Sequence, residues 1–261
     1  MTQILLNGHP TWALLPKRKG KTVVLLHGGL SSSASLLRVL DAPLSKRFAV
    51  AAFDRRGHGR TADTDEPFSL DAMADETIAF LEFLERRVNL VGHSDGANVA
   101  LLVALRRPDL LKRVVVVGAN YHYEGLVPMK DFTPESEGFA EFARKYAKHS
   151  PDGIEHAAVV VNKFTNLVKT QPTLTVAQLT GVSVPVLVMV GDDDVARLDH
   201  TVSLYESIPE AQLAIVPGAS HAVLKEHTKE CVLIIEQFLR GPASPLTKYP
   251  LRRAISDSSR E

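Results

Sequence analysis

Short, almost unbroken apolar runs alternate with amphipathic stretches along most of the chain. The first, Lys21-Thr22-Val23-Val24-Leu25-Leu26-His27, is β-branched and too short for a helix, the pattern of a strand buried on both faces. Phe48-Ala49-Val50-Ala51-Ala52-Phe53, Val88-Asn89-Leu90-Val91 and Lys112-Arg113-Val114-Val115-Val116-Val117 repeat it. So do residues 184–190 and 211–216. Between them the spacing predicts helices over 31–46, opened by serines that can cap it, and over 70–87, with Ser69 as cap and Met73, Thr77, Phe80, Leu81 and Leu84 on one face. Further helices are expected over 95–106, 198–207 and 222–239. Strands separated by helix-length segments are βαβ units, hence an α/β fold whose mainly parallel sheet carries helices on both faces. Runs near Ile4 and Trp12 add an antiparallel edge hairpin.

Residues 120–180 break this rhythm. They carry helical pieces at 135–149 and 154–169 and no convincing strand, so they are expected to form a helical cap over the C-terminal edge of the sheet, where open α/β folds bind ligands. Residues 1–119 and 181–240 then make one core. The tail, 241–261, contains Pro242, Pro245 and Pro250 and is expected to be flexible.

Composition narrows the partners more than the chemistry. The 261 residues are 45% hydrophobic, enough for a sizeable core, and Lys+Arg and Asp+Glu both number 30, so no charge excess points to nucleic acid or an anionic membrane. A single cysteine, Cys231, excludes an intrachain disulfide and sits in an apolar run as a buried small hydrophobe. No apolar stretch approaches ~20 residues, the length of a membrane span. The first residues have no secretory pattern, so a cytoplasmic protein is expected. Oligomeric state is not legible.

Gly92-His93-Ser94-Asp95-Gly96 fits G-x-S-x-G between a strand pattern and a helix pattern, the setting of a nucleophile elbow. A hydroxyl needs a base to become a nucleophile, and the base needs an orienting acid. Both should lie in loops after later strands, and two such loops qualify: Gly191-Asp192-Asp193-Asp194 and Pro217-Gly218-Ala219-Ser220-His221. His221 is the candidate base and Asp194 the candidate acid, with Asp193 as alternative; the order Ser, Asp, His is that of α/β hydrolases. The backbone N–H groups of Gly29 and Asp95 are the candidate oxyanion hole, although the glycines of His27-Gly28-Gly29 also suit a plain tight turn. His200 is a rival base; His93 should point away from the elbow, and His149, His156 and His227 should be solvent-exposed. Phe132, Phe139, Phe142, Tyr146 and Phe164 either line an acyl pocket or dock the cap; Leu30, Phe132 and Phe142 join Asp95 as substrate-binding candidates. No histidine pair has zinc-ligand spacing, and neither a metal nor another cofactor is expected. Asp54-Arg55-Arg56-Gly57-His58-Gly59-Arg60-Thr61 lacks phosphate-loop spacing and is expected to be a structural turn with buried ion pairs.

Taken in order over about residues 20–240, His27-Gly28-Gly29, Asp54 to Gly59, Gly92 to Gly96, the aspartates after Gly191 and His221 resemble the α/β-hydrolase superfamily. Within it the chain is similar to small bacterial esterases and to the biphenyl-hydrolase-like group. The resemblance implies the α/β-hydrolase fold, a cap insertion and a Ser-His-Asp mechanism on a small ester, lactone or thioester. It departs from many carbon–carbon bond hydrolases in its plain His27-Gly28-Gly29-Leu30 loop, and from dehalogenases and epoxide hydrolases in having serine at position 94. Asp95 resembles an acidic residue of some amino-acid-ester hydrolases, which implies a cationic substrate group. Carbon–carbon bond hydrolysis or perhydrolysis at the same residues, and a receptor with negligible turnover, stay open.

Overall fold

The computed structural model describes residues 2–242. β1 (Thr2–Leu6) and β2 (His9–Leu14) form an antiparallel hairpin at one edge of an eight-stranded sheet, and β2 pairs antiparallel with β4 (Ala49–Phe53). From there β4, β3 (Thr22–Leu26), β5 (Val88–His93), β6 (Leu111–Val117), β7 (Val186–Asp193) and β8 (Ala211–Ser220) follow in parallel. The chain leaves β3 toward β4 on one side and returns to lay β5 on the other. That reversal opens a crevice at the carboxyl ends of β3 and β5.

Strand pleating accounts for the two cores. Val23, Leu25, Val91 and Val115 face α1 (Ser33–Leu44) and α9 (Thr228–Arg240), packing on Leu36, Leu40, Ile235 and Phe238. Their neighbours Val24, Leu26, Leu90 and Val114 face the other way, against Met73 and Phe80 of α2 (Leu70–Phe83) and Leu101 of α3 (Asp95–Arg106). Both faces being covered, the strands need no polar alternation. α3 is buried all round from Gly96 to Ala104, which is why it is small and apolar throughout.

Between β6 and β7 come α4 (Phe139–Ala147), α5 (Ala157–Thr170) and the single turn α6 (Val176–Leu179), with only two isolated bridges as strand structure. α4 is shorter than its expected span because Gly138, at φ 89°, sets its start. α2 stops at Phe83, short of residue 87, where Glu85 takes a left-handed φ of 51°. The last helical segment breaks at His227 into α8 (Val223–Glu226) and α9. α7 (Leu198–Ser207) keeps the bounds its spacing predicts. The tail beyond Pro242 lies outside the described residues.

The expected capping of α1 fails as well. The serines before α1 do not cap it: Ser32 makes no capping bond, and Asp54 does the work from the end of β4. Asp54 Oδ1 accepts from the Ser33 N–H (2.8 Å) and Ser33 Oγ (2.6 Å), while Oδ2 accepts from the Arg60 N–H (3.0 Å) and faces the Arg60 guanidinium (3.4 Å). With Arg56–Glu76 at 2.7 Å, the 54–61 loop is a turn stitched by ion pairs whose carboxylates are buried and whose arginines are half-buried. Stranding these buried donors is costly, so Asp54→Ala should lose about 3 kcal/mol or more, whereas Ser32→Ala should stay within about 0.5 kcal/mol. Denaturant midpoints of the two variants check this; equal costs would refute the assignment.

Candidate active site

Two backbone approaches shape the turn from β5 into α3. A Cβ at Gly92 would collide with the Gly96 carbonyl, and a Cβ at Gly96 with the carbonyls of Leu26 and His27. Only hydrogen fits at either flank. Ser94, between them, is held at φ 55°, ψ −127°, a strained conformation for a residue with a side chain. Its N–H is tied to the Val117 carbonyl (2.9 Å) and its carbonyl accepts from Ala97 and Asn98, so its side chain projects from a fixed base. The first amides of α3, that of Asp95 among them, have no acceptor within the helix.

The ends of β7 and β8 bring two groups to this serine. His221 Nε2 lies 3.0 Å from Ser94 Oγ, and His221 Nδ1 lies 2.7 Å from Asp194 Oδ1. Asp194 also accepts from the Ala196 N–H at 3.0 Å. Burial pushes its carboxyl up, but the His221 hydrogen bond and charge and the Ala196 amide hold it below the usual carboxylate range. The neighbours do other things: Asp193 is exposed, and Asp192 accepts from the Ala219 N–H at 3.1 Å. An ionised Asp194 selects the tautomer with the proton on Nδ1, leaving Nε2 free to accept from Ser94 Oγ–H. This arrangement can activate the hydroxyl.

The loop after β3 lies beside the serine. His27, fully buried and kept neutral by burial, accepts from the Arg55 N–H at Nε2 (3.2 Å) and donates from Nδ1 to the Gly28 carbonyl (2.8 Å). Arg55, also fully buried, reaches the same carbonyl with Nη2 at 3.3 Å. Its Nε and Nη1, and Asp95 Oδ2, have no hydrogen-bond partner among the described residues. Burial raises the Asp95 carboxyl above the usual carboxylate range, and the charges of Arg55 and His221 offset that rise only in part. Over Gly29 lie Phe164, from α5, and Asp95 Oδ2; a Cβ at Gly29 would collide with both. Leu30 follows at φ 48°.

Several residues sit elsewhere than expected. Phe139, Phe142 and Tyr146 form an aromatic row on α4, extended by Phe132 against Phe142, with ring centroids 5.9 to 6.4 Å apart, and Phe164 reaches the loop after β3. His200, the rival base, is buried; its Nε2 accepts from the Tyr121 N–H (3.1 Å), its ring stacks on Tyr121, and burial lowers it to about 4. His156 is half-buried rather than fully exposed: it lies 2.7 Å from Asp63 Oδ2, which Lys163 also reaches at 2.8 Å, joining α5 to the core. His93 does not point away from the elbow. Its Nε2 lies 2.8 Å from the His221 carbonyl, because the pleat of β5 aims it at the end of β8. Gly118, after β6, escaped the sequence reading altogether: at φ 60°, a Cβ there would lie 2.9 Å from His221 Cε1 and 3.2 Å from Asp194 Oδ2. A glycine directly after a buried strand was its one signal.

A cleft of about 510 Å³ lies at the opposite, amino-terminal edge of the sheet, lined by Lys21, Arg87, Lys112, Arg113, Glu210 and Arg240. It holds no nucleophile–base pair. No group of three or more His, Cys, Asp or Glu among the described residues could hold a metal ion. No described helix is long and apolar enough to cross a membrane.

The model of the Alpha/beta hydrolase family matches residues 23–232, and the chain belongs to that family. Among curated relatives, "Putative carbamate hydrolase RutD" of Caulobacter segnis is 38% identical over 101 residues, a match spanning 38% of this chain and 38% of that protein. The protein of that name in Agrobacterium fabrum is 26% identical over 77% of this chain and 86% of its own length. The serine hydrolase of carbazole degradation, CarC, superposes with a TM-score of 0.75 at 24% identity, over 91% of this chain and 97% of that one. The enol-lactonase of Burkholderia xenovorans LB400 does so with a TM-score of 0.74 at 19% identity, over 92% and 100%. These likenesses fix the fold; the names belong to the relatives.

Gly118→Ala should push His221 off Asp194 and cost about 1–3 kcal/mol through its left-handed φ. The deshielded Nδ1 proton of His221 in the NMR spectrum checks this: it should be lost in the variant, and an unchanged signal would refute the steric argument.

Proposed function

We propose that this hydrolase cleaves a small carboxylic ester, lactones and thioesters included, through an acyl-Ser94 intermediate. The observation that carries the reading is the single line of bonds from Asp194 through His221 to a serine held in left-handed backbone. As Ser94 Oγ attacks the carbonyl carbon, its proton passes to His221 Nε2, and Asp194 stabilises the imidazolium. The carbonyl oxygen, now an oxyanion, takes the N–H groups of Gly29 and Asp95. Collapse expels the alcohol with the proton from His221. Water, activated by the same base, then releases the acid and restores the serine.

Two side chains bear on which ester. Phe164 stands over Gly29, where a bulky acyl group would need room, so the acyl part is small. Asp95 Oδ2, unpartnered beside it, is the acceptor we assign to an amine or other donor on the substrate; the positive charge of Arg55 tempers its pull on a full cation. Leu30, Phe132 and Phe142 contribute apolar surface farther from the reacting atoms.

A p-nitrophenyl ester series from acetate to octanoate tests this, with fluorophosphonate labelling alongside. Wild type should turn over and label, with the shortest esters best; Ser94→Ala should lose both, several orders of magnitude in kcat. Phe164→Ala should move the optimum toward longer chains. An aminoacyl ester and its des-amino analogue with equal kcat/KM would remove Asp95 from substrate recognition, and labelling without turnover of any ester would point to another bond.

A further inference from the structure

His93 precedes the nucleophile and is expected from the sequence to point away from the elbow, yet its imidazole lies against the His221 loop and the loop after β3. Its Nε2 is 2.8 Å from the His221 carbonyl, and its ring centroid is 4.9 Å from that of His221 at 38°. On the other side its Nδ1 faces the loop after β3, 3.5 Å from where a Cβ of Gly28 would be. We propose that His93 is a positioning residue, whose Nε2–H, donated to the His221 carbonyl, fixes the height and tilt of the His221 ring over Ser94. This rests on the serine-hydrolase reading above.

The segment carrying His221 needs such a tie. It follows Gly218, at φ 67°, and its own side chain is 30% exposed. The bonds around it hold its neighbours: Ser220 N–H and Oγ to Glu226 (2.8 and 2.7 Å), and Ala219 N–H to Asp192. His93 holds His221 itself. It does so from the last residue of β5, one peptide from Ser94, so base and nucleophile share one backbone reference. Burial, then the charge of His221, lower His93 to about 4, and the neutral ring keeps one defined donor. A charged ring at this distance would instead oppose the imidazolium that forms on His221 during the reaction.

Misplacing a catalytic group by a fraction of an ångström to an ångström costs one to two powers of ten in rate. His93→Phe keeps the ring and removes the donor. Fluorophosphonate labelling of Ser94 and kcat for p-nitrophenyl acetate should fall about tenfold or more, with KM and thermal midpoint nearly unchanged. His93→Gln places an amide nitrogen where Nε2 stood and should stay within about threefold of wild type, while His93→Asn, whose amide stops short, should resemble Phe. If Phe does not fold, the Gln–Asn pair makes the same comparison. Phe at the wild-type rate, or Gln as impaired as Phe, would overturn the role of His93. A wild type that turns nothing over and does not label would overturn the serine-hydrolase reading instead.

Discussion

Everything at the site hangs on how closely β5, the turn and α3 approach the end of β3. Gly96 lies against the carbonyls of Leu26 and His27, Gly92 against Gly96, and Ser94 is left to absorb the bend at φ 55°. Such strain costs of the order of 1–3 kcal/mol and persists only when the surroundings over-determine it. Here they do: β5 lies between β3 and β6, α3 is buried from Gly96 to Ala104, and the Ser94 amide is fastened to the end of β6. Tight packing of an apolar helix on an apolar sheet thus becomes a half-buried hydroxyl aimed at His221.

Around that serine the fold concentrates buried polar groups that set the shape of loops. Asp54 caps α1 and ties the Arg60 loop, His27 links Arg55 to Gly28, and Arg55 grips the Gly28 carbonyl. Each fixes backbone near the reacting atoms from a water-poor interior, where the bonds are strong and their loss is costly. The helices between β6 and β7 form a further segment. It is anchored through Asp63 to His156 and Lys163 and sends Phe164 down to Gly29.

The fold was legible because β-branched runs and helix-length gaps leave little choice of architecture, and Gly92, Ser94 and Gly96 announce the elbow. Asp194 and His221 could be located as loop ends after later strands, though Asp193 and Asp194 differ only in which side of a strand end they leave. What escaped was whatever depends on contact across strands. The spacing of Ser31, Ser32 and Ser33 reads as a cap, yet Asp54, 21 residues from Ser33, does the capping. Gly118 avoids a clash with His221 that only tertiary structure reveals, and His93 reaches a partner 128 positions away. Among the aromatics between β6 and β7, periodicity marks Phe139, Phe142 and Tyr146 on α4 and gives no hint that Phe164 reaches Gly29.

An acyl-Ser94 intermediate is trapped by rapid acid quench of the wild-type protein with p-nitrophenyl acetate during turnover, followed by peptide mass mapping. One acetyl group is expected on the peptide that carries Ser94, forming with the first release of p-nitrophenol and decaying as substrate runs out. Turnover with Ser94 unmodified, or an acetyl group carried by another residue, would contradict it.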